Sequence, residues 1–122
     1  MHALLQYIRY RWKAKTRHGI HSPFVYAFID NCLAKKSAQN LEERINAYFG
    51  DGVYWVDDAT NIKQHTITAI RNIHSNKQCT AMWDVLRGNQ SYIISIDLYC
   101  IGLLVKNPDI KEKQHFVLQY PL

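Results

Sequence analysis

Thr66-Ile67-Thr68-Ala69-Ile70-Arg71-Asn72-Ile73 is dense in β-branched residues and reads as a strand leading into a helix. Ser75 or Asn76 supplies the helix N-cap, and Cys79, Met82, Trp83 and Leu86 follow at i, i+3, i+4 and i+7. Arg87 suits the negative end of the helix dipole, and Gly88 supplies a stop. Tyr92 to Leu98 then reads as a further strand. Strand 66–73, helix 76–87 and strand 92–98 have the length of a right-handed parallel crossover, which places the chain in the α/β class.

Downstream, Cys100 to Val105 is expected to continue strand 92–98 past an irregularity at Gly102. Asn107-Pro108-Asp109 makes a turn, and His115 to Tyr120 is the last strand. The short connection suits a hairpin, so the last strand is expected to run antiparallel to the one before it.

Upstream, Val53-Tyr54-Trp55-Val56 is a short strand, preceded by the turn Gly50-Asp51-Gly52 and followed by the polar segment Asp57 to Gln64. A helix from Asn40 to Phe49 places Leu41, Ile45, Tyr48 and Phe49 on one side, with Asn40 as cap and Glu42 and Glu43 at its positive end. Another helix starts at Ser22-Pro23, with Ser22 as N-cap and Pro23 in the first helical position. Phe24, Val25, Phe28, Ile29, Cys32 and Leu33 give it a broad apolar face, and Lys35-Lys36-Ser37 closes it. Residues 3–16 read as an amphipathic helix built on Leu4, Leu5, Ile8 and Trp12, with Tyr7 beside them. The expected architecture is one domain over 1–122. Its helical part, 1–50, packs on a small mixed β-sheet, 51–122, which holds one β-α-β unit and a C-terminal hairpin.

The chain's 122 residues suffice for a core without disulfides or metal, and three tryptophans with eight tyrosines supply large buried areas. Cys32, Cys79 and Cys100 lack metal-type spacing and read as reduced thiols in a cytoplasmic protein, with Cys79 and Cys100 packed on apolar faces. No apolar run has transmembrane length, and Arg9, Arg11 and Trp12 interrupt any signal-peptide core. The net charge of +5 is localised: Arg9, Arg11, Lys13, Lys15 and Arg17 precede the first acid, and the remaining ten bases match the ten acids. That patch suits nucleic acid, an anionic surface or an acidic partner, or forms a solvated helix face.

Arg17-His18-Gly19-Ile20-His21-Ser22-Pro23-Phe24-Val25-Tyr26 resembles the N-terminal signature of a bacterial family of small class I S-adenosylmethionine (SAM)-dependent methyltransferases. The tail resembles the end of the same Rossmann-like fold. In that sheet the seventh strand is antiparallel and lies between the fifth and sixth. The resemblance makes Thr66–Ile73 the fifth strand and Ile73-His74-Ser75-Asn76 the turn into its helix. It makes Ile96-Asp97-Leu98-Tyr99 with Ile101-Gly102-Leu103-Leu104 the sixth strand, and His115-Phe116-Val117-Leu118 the seventh. Val53–Asp57 matches the first strand more weakly. The segment Asp58 to His65 stands where strands two to four and their helices belong.

The resemblance implies a SAM site on a glycine-rich loop after the first strand, where the backbone must approach the ligand without a Cβ in the way. Here Asp57-Asp58-Ala59-Thr60-Asn61 follows, with no glycine. Arg71 and Asn72 stand where the family has acids, which disfavours a divalent cation. No cofactor, metal or catalytic residue is therefore expected.

Candidate sites are sparse. His18, His21 and Ser22, with Arg17 beside them, adjoin a helix N-terminus that favours an anion, or they cap that helix and set a hinge. Asp57-Asp58 is a paired acid or an ordinary turn. His65, His74 and His115 lack zinc spacing. Asp97, inside an apolar strand, needs a buried donor such as Tyr or His, or marks a break in the strand.

Three functions follow as expectations. The first is a non-catalytic, truncated methyltransferase-like protein acting through protein contact, as a homodimer through its N-terminal helices. The second is a methyltransferase whose site is completed across a subunit interface. The third is nucleic-acid or anionic-surface binding through the N-terminal bases, with Tyr7, Tyr10 and Trp12 as stacking platforms.

Overall fold

The computed structural model describes residues 4, 5, 7, 8, 10, 22–57 and 66–120. Leu4, Leu5, Tyr7, Ile8 and Tyr10 are helical. The elements that follow are α1 (Pro23–Phe28), running into a π-helical turn Ile29–Leu33, then α2 (Leu41–Phe49), β1 (Val53–Val56), β2 (Ile67–Arg71), α3 (Lys77–Arg87), β3 (Ile94–Asp97), β4 (Ile101–Val105) and β5 (Gln114–Val117).

Local side-chain chemistry sets the helix starts. The Ser22 hydroxyl accepts from Val25 N at 3.3 Å, and Pro23 fills the first turn without losing a hydrogen bond. Asn40 and Glu43 form a reciprocal capping box: Glu43 N donates to Asn40 Oδ1 at 2.9 Å and Asn40 N to Glu43 Oε1 at 3.1 Å. Of the two candidate caps for α3, Asn76 is the one used; its Oδ1 accepts from Cys79 N at 2.8 Å.

The five strands form one mixed sheet in the order β1-β2-β4-β3-β5. β1 is parallel to β2, with Val53 opposite Ile67. β4 is antiparallel to both β2 and β3, and β5 is parallel to β3. β2, α3 and β3 form the expected parallel crossover, but β4 lies between the two strands.

Two expectations are corrected here. Strand 92–98 does not continue through 100–105; the chain reverses at Leu98-Tyr99-Cys100, and Gly102 pairs back against Asp97. The last strand is not antiparallel to the third. His115–Val117 lies parallel at the sheet edge, and Ile101–Val105 is the antiparallel strand between β2 and β3. The physical cause is a tight turn without glycine or proline. Asp97 Oδ1 accepts from Tyr99 N at 2.8 Å, Cys100 N donates to Leu98 O at 2.9 Å, and Tyr99 takes φ 72°.

Both faces of the central strands are covered, as their continuous burial requires. Ile67, Ala69, Ile94, Ile96, Leu103 and Val105 join Val25, Phe28, Ile29, Leu33 and Ile45 in the larger core. On the other face Trp83 of α3 packs with Ile70, Ile73, Tyr92 and Leu104. Gly102 is no bulge but the seat of that indole: a Cβ there would stand 2.5 Å from Trp83 Cζ3. Cys100 is exposed rather than packed, because it lies in the β3–β4 turn.

Candidate functional site

β1, β2 and β3 run in the same direction, so their carboxyl ends meet at one edge of the sheet, where ligands of open α/β sheets bind. Asp57 follows β1, Arg71 and Asn72 end β2, and Asp97 to Tyr99 end β3. Asn72 leaves its strand at φ 59°, a conformation asparagine tolerates, and its N–H donates to Cys100 O at 2.7 Å. Tyr99 at φ 72° is a bulky residue in a sparsely populated region, held there by the Asp97 cap.

Arg71 fills the space between the ends of β1 and β2. Its Nε and Nη2 donate to Glu42 Oε1 at 3.0 and 2.8 Å, and its Nη1 donates to Asp57 Oδ1 at 3.0 Å. The guanidinium carbon lies 4.7 Å from the centre of the Trp55 ring. Hydrogen bonding to Glu42, opposed by partial desolvation and reinforced by the Glu42 and Asp57 charges, raises the guanidinium pKa above its ordinary value. The turn acid Asp57 is thus a structural ion-pair partner.

The second constellation joins β2 to β3. His74 Nε2 donates to Asp97 Oδ2 at 2.6 Å, and His74 Nδ1 lies 3.3 Å from the Thr80 hydroxyl. Both partners are buried. This is the donor that Asp97 requires. The Thr80 hydroxyl also donates to Ile73 O at 3.1 Å, and both Asp97 oxygens are engaged, so the pair braces the two turns. The imidazole also stacks on Tyr99 at 5.5 Å, and Tyr7 and Tyr10 pack against Tyr99 at 5.1 and 5.3 Å. The Tyr10 hydroxyl donates to Leu118 O and accepts from Tyr120 N at 2.7 Å. Tyr10 is 3% exposed and is therefore no platform for a nucleic-acid base, a correction to that expectation.

A cleft of about 510 Å³ opens at this edge, lined by residues of the β2 and β3 ends, by the start of α2, and by Tyr7 and Tyr120. Cys100 lies on its wall, and desolvation raises that thiol, which lowers its thiolate fraction and its reactivity. Desolvation, with Cys100, Tyr7 and Asp97 close by, likewise raises the Tyr99 phenol.

The residues expected to contact a partner or anion are only partly placed. Ser22 caps α1, and its hydroxyl oxygen is used in doing so. Arg9, Arg11, Lys13, Lys15, Arg17, His18 and His21 lie outside the described residues, as do Trp12, Asp58 and His65. His74 and His115 do not converge: His115 Nδ1 lies 2.6 Å from the Ser95 hydroxyl, while His74 binds Asp97. Among the described residues no group of three or more His, Cys, Asp or Glu converges as a metal set, and no helix is long and apolar enough to cross a membrane. The sequence carries no direct sign of the tyrosine cluster around Tyr99. Its members lie far apart in sequence, and Asp97 was the one local signal of an unusual turn.

Comparison of the chain with protein-family models, curated proteins and solved structures gives no match.

Proposed function

We propose that this chain is a shortened, methyltransferase-like protein that has lost its catalytic site and acts through protein contact, as a homodimer formed by its N-terminal helical residues. The observation that carries this reading is the closure of the β1–β2 edge. In the sheet it resembles, cofactor binds beyond the carboxyl end of the first strand. Here β1 pairs directly with β2, and Arg71 is locked there by Glu42, Asp57 and Trp55. The order β2-β4-β3 has an antiparallel middle strand, as the resembled sheet has, but that strand is β4 and not His115–Leu118, to which the resemblance assigns the seventh strand.

The contact surface follows from exposure. Leu4, Leu5, Tyr7 and Ile8 are 43–55% exposed on neighbouring helical positions. Pairing two copies of this segment removes that apolar area from water. The sequence places five bases within or just after the segment in each copy, so their mutual repulsion opposes the dimer and is screened by salt. Sedimentation equilibrium tests this. A dimer that tightens as salt rises supports the reading; a monomer throughout the micromolar range contradicts it. Loss of association with rising salt indicates instead that the bases make the contact.

A further inference from the structure

The surface assigned to self-association and the ring cluster at the sheet edge belong to one helical segment. Tyr7 and Tyr10, three residues apart, are neighbours on it and bring their rings to 5.1 and 5.3 Å from Tyr99. Among the segment's described residues Tyr10 is the buried one, at 3% exposure. Its hydroxyl bridges two backbone groups after β5, donating to Leu118 O and accepting from Tyr120 N at 2.7 Å. Leu4, Leu5 and Ile8 on the same segment are 46–55% exposed. The attachment matters because such a helix does not stand by itself. At the length read from the sequence, residues 3–16, an isolated helix is marginal in water. The seating of Tyr10 holds the backbone helical, and a helical backbone brings Leu4 and Ile8 to one side, four residues apart. Tyr99 in turn is fixed by the Asp97 side chain, and Asp97 by His74. The contact surface is thus built on the β3–β4 turn.

We propose that Tyr99 is a positioning residue for self-association: it seats Tyr7 and Tyr10, and the seated segment is the form that pairs with a second copy. The inference rests on the self-association reading and adds what controls it. Both copies must be seated, so the apparent dimer constant falls as the square of the seated fraction. A fall to about one third in each copy weakens association about tenfold. The coupling is reciprocal, so pairing also holds the segment in its seat.

The test begins with the unmodified chain. Hydrogen exchange at the Tyr120 amide, which reports the Tyr10 bridge, is followed across the protein concentrations used in sedimentation. Protection is expected to rise with the dimer fraction; protection that stays constant while the dimer forms overturns the proposal. Tyr99→Gly is the matching variant, because it deletes the ring and glycine suits the φ of 72° at that position. It is expected to exchange faster at Tyr120 and to associate about tenfold more weakly. Tyr99→Phe, which keeps the ring, is expected to associate as the unmodified chain does. Unaltered association of Tyr99→Gly, or equal weakening in Tyr99→Phe, overturns the proposal. An unmodified chain that stays monomeric at every concentration removes the self-association reading and the proposal with it. That result is distinct from a dimer indifferent to Tyr99, which removes the proposal alone.

Discussion

His74 Nε2 and Asp97 Oδ2 stand 2.6 Å apart, and this one bond ties the turn after β2 to the turn after β3. Asp97 spends its second oxygen on Tyr99 N, so the pair also holds Tyr99 in its left-handed conformation. Removing one partner leaves a buried polar group unsatisfied. His74→Ala is expected to destabilise the fold by about 2–4 kcal/mol. Asp97→Asn, which keeps an acceptor for Tyr99, is expected to cost about 1–2 kcal/mol. Urea unfolding checks both, read as a lower midpoint at an unchanged slope.

Trp83 and Gly102 make a second long-range pair, governed by shape. A methyl group at position 102 has no room under the indole. Gly102→Ala is expected to cost about 1–3 kcal/mol by overpacking, and Trp83→Ala about 3–5 kcal/mol by cavity formation. Combined, the two changes should cost less than their sum, because the clash disappears with the ring. A four-variant denaturation cycle measures that difference.

The sequence discloses interactions that close within four residues and conceals those that span the fold. Ser22, Asn40 and Asn76 are recognisable caps because side chain and backbone partner are near neighbours. The β3–β4 reversal has one local sign, Asp97, whose side chain holds a turn that carries no glycine or proline. Gly102 is conspicuous for a reason only packing explains: its partner Trp83 comes from the crossover helix. At the site, the missing glycine after β1 is visible in the sequence. The role of Arg71 is not, since Glu42 lies in a different element and Trp55 in a neighbouring strand.

Cys32 supplies a pH dependence. Burial pushes its thiol up to about 11 from an ordinary value of 9.0, with the Arg44 charge opposing. A raised thiol pKa favours the fold while the group stays protonated. This contribution is complete below pH 9 and is lost as pH rises toward 11. It amounts to roughly 2–3 kcal/mol. Cys32→Ala is expected to be less stable at neutral pH yet lose less stability across that alkaline window. Denaturation midpoints at neutral and alkaline pH, for both proteins, check the slope.

The N-terminal surface makes a separable prediction. Leu5 and Ile8 are half exposed, so changing both to Gln should leave thermal stability nearly unchanged. The same change should weaken self-association on the order of tenfold or more. Sedimentation paired with calorimetry separates the two effects; a large fall in melting temperature with unchanged association contradicts the assignment.

Retention of labelled SAM in equilibrium dialysis, at protein concentrations where the chain is fully self-associated, addresses the closed β1–β2 edge most directly. With Arg71 held by Glu42, Asp57 and Trp55, equal label on both sides of the membrane is expected, up to about millimolar nucleoside. Saturable retention by the protein, displaced by the demethylated product, contradicts the account and restores an enzyme whose cofactor cleft forms between subunits.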